Sequence, residues 1–343
     1  MGIVSTLVFV MPDGSDEISG GNLYNADLFA ALQECCETKW MAATDFASEP
    51  LAEGTYLVDT LNLDIANEVL RTRRPGQRFV LLVHHLPSFE PGLATSHPSL
   101  ALERSVLPNF DGYIATGEFT RSWLAEQGYA ERTILMEPVF ASPPSIRRNL
   151  EGPVRAVMVC NLIARKGVLE FLDRLALEID KNSELDAPTF SLDIVGRDDL
   201  DVEYAEACAE RVASEASLGR HVRLLGALPH SSVLATYQEA NLFLSASRME
   251  TFGISLQEAR HYGLPILAVR GGNSENHVVE GKTGGVLETP SELACAFLEL
   301  VKNRDAHVSY FDAAQDARLS GSERWNDAAK RLLTVLTAWF QTS

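Results

Sequence analysis

Two glutamates, Glu250 and Glu258, stand in the run Ser245-Ala246-Ser247-Arg248-Met249-Glu250-Thr251-Phe252-Gly253-Ile254-Ser255-Leu256-Gln257-Glu258-Ala259. Carboxylates accept hydrogen bonds from neighbouring hydroxyls, often two at a time. Gly253 lets a ligand approach the backbone closely. A helix expected to begin near Phe252 would offer free N–H groups and the positive end of its dipole, which suit an anionic diphosphate. Lys166 lies in Val159-Cys160-Asn161-Leu162-Ile163-Ala164-Arg165-Lys166-Gly167, between an apolar run and a helical pattern. A cation there can neutralise a leaving diphosphate without a metal. His84 and His85 close another apolar run, where a neutral imidazole can donate to a sugar hydroxyl or to a developing charge. Of the two, His84 is the better candidate, and Glu90 and Glu103 are weaker ones for ligand contacts. Gly20-Gly21-Asn22 opens a helical pattern but lacks the G-x-G-x-x-G spacing of a dinucleotide site. Each feature has a plainer alternative: a helix cap for Glu250, a solvated face for Glu258, a packed histidine pair, an ordinary turn.

The elements that would position these groups follow an α/β pattern, short apolar runs alternating with helical periodicity. Strands are expected over 3–10, 78–83 and 112–116, with helices over 22–33 and 120–127. The stretch Ala141-Ser142-Pro143-Pro144-Ser145-Ile146-Arg147-Arg148 has no periodicity and reads as a linker. Alternation then resumes, with strands expected over 154–159, 190–195, 222–225, 242–245 and 266–269. Helices are expected over 167–179 and 325–340. The division is a first doubly wound domain over 1–145, completed by a terminal helix within 323–343, and a second over 150–322. Open α/β sheets bind ligands at the carboxyl ends of their strands, and the candidate residues follow strands. Two such domains facing each other would form a central cleft. By position, base recognition would fall on Gly196, Arg197 and Leu228.

The Glu250 segment resembles the PSxxExFGxxxxEA signature of GT4-like retaining glycosyltransferases of the GT-B fold, the glycosyl transferases group 1. Gly263-Leu264-Pro265-Ile266, Gly271-Gly272 with Glu275, and Glu280-Gly281-Lys282-Thr283-Gly284-Gly285 continue the likeness. The resemblance implies two Rossmann-like domains and transfer of a sugar from a nucleotide-sugar donor, a UDP-sugar first in order, with retention of configuration. It implies that Glu250 holds donor-sugar hydroxyls and Glu258 the ribose, with Thr251, Phe252, Gly253 and Ile254 along the diphosphate and sugar. Lys166 would grip the phosphates, Gly20 and Gly21 would lie against donor or acceptor, and His84 would stand near the reacting sugar. One position departs from the family: Asn161 replaces an arginine. Arg165 could compensate, although on a regular backbone it would point away from Lys166. No cofactor or metal is implied, because the nucleotide sugar is a substrate. The acceptor would be a small molecule, a glycan or a lipid-linked compound.

The 343 residues are 46 % hydrophobic, 8 % aromatic and 22 % charged, proportions of a soluble globular protein long enough for two cores. A formal net charge of -18 disfavours nucleic acid and anionic lipid as partners. The one dense basic run, Arg71, Arg73, Arg74 and Arg78, reads as a solvated helix end. Five cysteines (35, 36, 160, 208 and 295) form no C-x-x-C, against a disulfide framework or a zinc site. No apolar run reaches membrane-spanning length. The amino terminus lacks the basic start of a signal peptide, and its myristoylation-like M-G-x-x-x-T pattern overlaps an expected buried strand. A cytoplasmic location is expected. Three rivals are kept. Asp199-Leu200-Asp201 spells the cation-binding D-x-D of GT-A enzymes. An epimerase or hydrolase of GT-B architecture would share the phosphate grip. A non-catalytic nucleotide-sugar-binding scaffold would tolerate Asn161.

Overall fold

Residues 6–12, 20–140, 150–181, 189–318 and 324–341 are described by the computed structural model. The expected linker at 141–148 and the amino-terminal glycine lie outside the described residues. The chain divides into two compact units, Met1–Val139 with Glu323–Ser343, and Phe140–Ser322.

The first unit has six strands: β1 (Leu7–Met11), β2 (Thr38–Ala42), β3 (Gly54–Asp59), β4 (Gln77–Val83), β5 (Gly112–Ala115) and β6 (Thr133–Leu135), of which β1, β3, β4 and β5 are built mainly of aliphatic and aromatic residues. They pair in parallel in the order β2-β1-β3-β4-β5-β6. Parallel strands covered on both faces read as continuous apolar runs, and β1 is buried at all five positions. The strand order reverses at β1, which places a topological switch point, the usual crevice of an open α/β sheet, beside β1 and β3. Three segments meet at that edge: the Gly20–Cys35 helix after β1, Asp59 ending β3, and His84 following β4. The helix begins two residues before the expected 22, because glycines carry no side-chain periodicity to mark it. The Trp325–Gln341 helix buries Ala328, Ala329, Leu332 and Leu336 in the same core as Leu28 and Leu32. A Cβ at Gly112 would stand 2.5 Å from the Trp339 ring, so only glycine admits that indole.

The basic run is used locally. Arg73 Nη2 donates to both oxygens of Asp111, at 2.6 and 2.8 Å. The Arg78 guanidinium lies 5.7 Å over the Phe340 ring. Glu103 is also structural: it is buried and accepts the Ser88 N–H at 2.8 Å.

The second unit carries β7 (Val154–Val159), β8 (Phe190–Val195), β9 (Val222–Leu224), β10 (Leu242–Ser245), β11 (Ile266–Val269) and β12 (Gly284–Leu287), in the parallel order β12-β11-β10-β7-β8-β9. Side chains alternate between its faces, as the period of a strand requires. Ala156, Met158, Leu242 and Leu244 pack with Phe171, Leu175 and Phe297 on one face. Val157, Phe243 and Ala268 pack with Tyr237, Leu256 and Tyr262 on the other. The order reverses between β7 and β10, so the switch point of this unit lies where those two strands end.

Candidate functional site

After β7 the chain makes a 3-10 turn over Ala164–Lys166, passes through Gly167 at φ 65°, and enters the Val168–Asp180 helix. A Cβ on Gly167 would stand 2.5 Å from the Ala246 carbonyl oxygen, so the glycine lets the segments following β7 and β10 abut. That contact brings Lys166 to Glu250. Lys166 Nζ donates to Glu250 Oε1 at 2.5 Å, with each side chain 12 % exposed. Burial pushes the Glu250 carboxyl upward, but the Lys166 charge and hydrogen bond, with Arg165 and Ser247, hold it below the ordinary carboxylate range. An ion pair this dehydrated gains little net stability after its desolvation cost.

Arg165 lies in the same turn as Lys166. The 3-10 turn does not follow a regular strand, and Arg165 Nη1 reaches the Met249 carbonyl at 3.3 Å while its own carbonyl accepts the Arg248 N–H at 3.0 Å. Both cations thus address one loop.

That loop is fastened from behind. Asn273 N donates to the Glu250 carbonyl at 2.7 Å. The Phe252 carbonyl accepts from Asn273 Nδ2 at 2.8 Å and from His277 Nε2 at 2.6 Å. His277 is 4 % exposed, and burial lowers its pKa to about 4, so the ring is neutral at pH 7. Gly253 then adopts φ 83° and leads into the Ile254–His261 helix, which starts two residues later than expected. A Cβ there would stand 2.9 Å from Leu256 Cδ1 and 3.3 Å from His277 Nε2, besides the strain of a left-handed residue.

Glu258 lies on the second turn of this helix and is only 5 % exposed. Its Oε1 is 2.7 Å from His230 Nε2, and its Oε2 accepts the Tyr237 hydroxyl at 2.9 Å. Burial, followed by the neighbouring carboxylate, pushes the Tyr237 hydroxyl pKa well up, so the phenol stays protonated as a donor.

The remaining candidates in this unit line the ends of β7, β8 and β9. Asn161 Oδ1 accepts the Arg197 N–H at 3.3 Å, and Leu162 N donates to the Arg197 carbonyl at 2.8 Å, which ties the ends of β7 and β8 together. Gly196 has no room for a side chain against the Cys160 carbonyl. Leu228 packs at the margin of the β7–β10 core face. The D-x-D carboxylates have structural partners. Asp199 pairs with Arg197 through both oxygens, at 2.8 and 3.0 Å, and Asp201 caps the Val202–Ser214 helix by accepting the Tyr204 N–H at 3.3 Å.

In the first unit, His84 sits at the switch point and His85 turns to Glu90, 3.2 Å away. Thr60 Oγ1 accepts the backbone N–H of His84 at 3.1 Å and of His85 at 3.3 Å. His84 Nε2 is 2.7 Å from Asn25 Oδ1, and Asn25 Nδ2 donates to Asp59 Oδ2 at 2.8 Å. Burial lowers the His84 pKa, against a smaller upward pull from Asp59. A Cβ on Gly21 would lie 3.6 to 3.8 Å from ring atoms of His84, so Gly21 passes directly beside this imidazole. Gly20 and Gly21 belong to the first helical turn rather than to a turn before it. Asn25, Asp59, His230, Tyr237, Asn273 and His277 carry no motif, and the sequence alone did not single them out.

Residues 145–317 match the family described as glycosyl transferases group 1. The chain belongs to this family. It is similar to the D-inositol 3-phosphate glycosyltransferase of Corynebacterium urealyticum, 32 % identical over 132 residues, which cover 37 % of this chain and 30 % of that protein. It is 23 % identical over 250 residues to the UDP-N-acetylglucosamine–peptide N-acetylglucosaminyltransferase GtfA subunit of Streptococcus agalactiae, covering 67 % of this chain and 47 % of that one. The chain therefore spans less than half the length of these two relatives. Sucrose-phosphate synthase from Thermosynechococcus elongatus superposes with a TM-score of 0.77 at 17 % identity, over 99 % of this chain and 100 % of that chain. The fold is the GT-B class, with two Rossmann-like α/β units. Among the described residues no helix is long and apolar enough to cross a membrane.

Proposed function

We propose that this chain transfers a sugar from a nucleotide-sugar donor to a hydroxyl-bearing acceptor, with retention of configuration and without a metal. The observation that carries the proposal is the Lys166–Glu250 pair, dehydrated and fixed where β7 and β10 end, beside the Gly253 helix start. Lys166 and the helix N–H groups stabilise the diphosphate as it leaves. Glu250, kept anionic, orients the sugar through its hydroxyls. A donor phosphate oxygen takes the acceptor proton on the face it leaves. Glu258 holds the ribose, a role that has it share hydrogen bonds with His230 and Tyr237. Gly196, Arg197 and Leu228 lie along the base, and His84 with Gly20 and Gly21 meets sugar or acceptor. The acceptor is a small molecule, a glycan or a lipid-linked compound.

UDP is the first donor nucleotide to try, because the Streptococcus agalactiae relative is named for UDP-N-acetylglucosamine. The test is thermal unfolding with UDP, GDP, ADP, dTDP and CMP in turn, without metal. A nucleotide at a hundred times its dissociation constant adds about 2.7 kcal/mol of stability. One clear responder names the base. No response to any of the five, with or without magnesium or manganese, would overturn the reading, whereas a response without turnover of any donor would favour a non-catalytic nucleotide-sugar-binding scaffold, in which Asn161 has replaced an anion-binding arginine.

A further inference from the structure

The polar groups at the switch point of the first unit form a directed chain whose ends are both determined. Asp59 is 1 % exposed and acceptor-only as a carboxylate. Its Oδ1 takes the Leu61 N–H at 2.8 Å, and its Oδ2 takes Asn25 Nδ2 at 2.8 Å. Asn25 is fully buried, and its amide has one tenable orientation. Turned the other way, its oxygen would face a carboxylate oxygen at hydrogen-bond distance. The Asn25 carbonyl therefore points at His84, 2.7 Å from Nε2, and a carbonyl can only accept. In a neutral ring, the proton must then be on Nε2.

We propose that Asn25, oriented by Asp59, is a positioning residue that holds His84 as the Nε2–H tautomer, presenting the Nδ1 lone pair to a ligand hydroxyl. Nδ1 makes no hydrogen bond among the described residues, and the His84 side chain is 16 % exposed. The side of the ring that carries Cγ, Cδ2 and Nδ1 faces Gly21, where a side chain would have stood 3.6 to 3.8 Å away and narrowed access. Tyr24 meets the ring edge-on, with centroids 5.2 Å apart, and resists its rotation. Burial keeps the imidazole neutral, so the tautomer and not a charge defines its role. His84 thus accepts a hydrogen bond, where the sequence left it able to donate one. The proposal rests on the transferase reading for the identity of the hydroxyl, a sugar or acceptor alcohol, but the tautomer itself does not.

Asp59→Asn tests it with little change of shape. The remaining side-chain oxygen keeps the Leu61 N–H, so the new NH2 faces Asn25. The Asn25 amide must then turn over and donate to Nε2, which moves the ring proton to Nδ1. Long-range 1H–15N correlation spectra of the full chain, labelled with 15N-histidine at pH 7.5 and assigned by His84→Gln, read this directly. The wild type should show protonated Nε2 and bare Nδ1, and folded Asp59→Asn should show the reverse. A wild-type ring carrying its proton on Nδ1, or an even mixture, overturns the proposal even if the variant does not fold. A folded variant with an unchanged tautomer overturns the role of Asp59 and Asn25. With the donor identified by nucleotide stabilisation, Asp59→Asn should lower kcat roughly 5- to 150-fold with little change in donor KM, the size of one reversed buried hydrogen bond. Undiminished turnover with a reversed tautomer refutes the hydroxyl-accepting role, whereas loss of nucleotide stabilisation in the wild type refutes the transferase reading and leaves the tautomer intact.

Discussion

Acidification should loosen the second unit through one buried histidine. His277 supports the Phe252 carbonyl at 2.6 Å, and burial depresses its pKa from 6.5 to about 4. A histidine that refuses its proton when folded and accepts it when unfolded contributes stability in full above pH 6.5. That contribution is lost as pH falls from 6.5 toward 4. At 1.36 kcal/mol per pH unit, the loss is about 2 kcal/mol by pH 5 and about 3 kcal/mol by pH 4. His84, His261 and His307 are lowered in the same direction, so the total acid sensitivity belongs to no single ring. The difference between wild type and His277→Gln isolates the one that matters here, because the glutamine does not titrate. Urea unfolding at pH 7.5, 6, 5 and 4.5 should give two curves of stability against pH that converge as the pH falls. Histidine NMR titration of the folded wild type should place the His277 midpoint well below 6. Parallel curves, or a midpoint near 6.5, would refute the argument that this ring is held neutral behind the Phe252–Gly253 loop.

Other perturbations address the same loop. Lys166→Ala should reduce turnover by roughly 10²–10³-fold, equivalent to about 2.7–4 kcal/mol, and weaken stabilisation by the responding nucleotide. Near-normal turnover in a folded variant would remove Lys166 from the site. Gly253→Ala forces a side chain into φ 83° against Leu256 and His277, and should lower stability by at least about 1–2 kcal/mol. An unchanged unfolding midpoint would show that the loop has another conformation available. Glu258→Gln keeps the shape while removing the charge, and should shrink the nucleotide response of a protein that stays folded. A full response would leave Glu258 a purely structural partner of Tyr237 and His230.

How much of this was legible follows from where the signals lie along the chain. The Phe79–Val83 stretch of β4, β10 and β11 are nearly continuous apolar runs, as expected of parallel strands covered on both faces, and β7 is broken only by Arg155, while β8 alternates, with Ser191 and Asp193 between its buried positions. β2, at one edge, reads Thr-Lys-Trp-Met-Ala with exposed positions, and β6 has three residues, so neither rises above its surroundings. β12 opens with Gly284 and Gly285, which look like a turn until a parallel neighbour pairs with them. The Glu250 segment was visible because a strand end, a glycine and a helix start are adjacent there. Its supports were not visible: His277 reaches Phe252 across 25 positions, and Asp59 reaches Asn25 across 34. The direction of Arg165 is not legible from periodicity, because a 3-10 turn over Ala164–Lys166 takes the place of a regular backbone there.

The charge distribution has its own consequence for the proposed chemistry. A chain with net charge -18 should repel a nucleotide diphosphate, yet carboxylates beyond about 8 Å are largely screened at physiological ionic strength. What the phosphates meet is local. The Lys166 ammonium has three N–H donors, and Glu250 takes one of them at 2.5 Å. The partner carboxylate reduces the cation's pull on an arriving anion, but it also removes the freedom of a four-carbon side chain. Its own acidity, set below the usual carboxylate range, keeps the pair ionised well into acid. A cation fixed in advance needs no reorganisation when negative charge builds on the leaving diphosphate, and that saving appears in turnover rather than in ground-state affinity. The same arrangement gives meaning to Asn161. An arginine there would add attraction for the bound diphosphate. An asparagine whose Oδ1 accepts the Arg197 N–H gives up that attraction for a fixed join between the ends of β7 and β8. Under this reading donor affinity should be modest, and Lys166 should carry most of the transition-state stabilisation available from side chains.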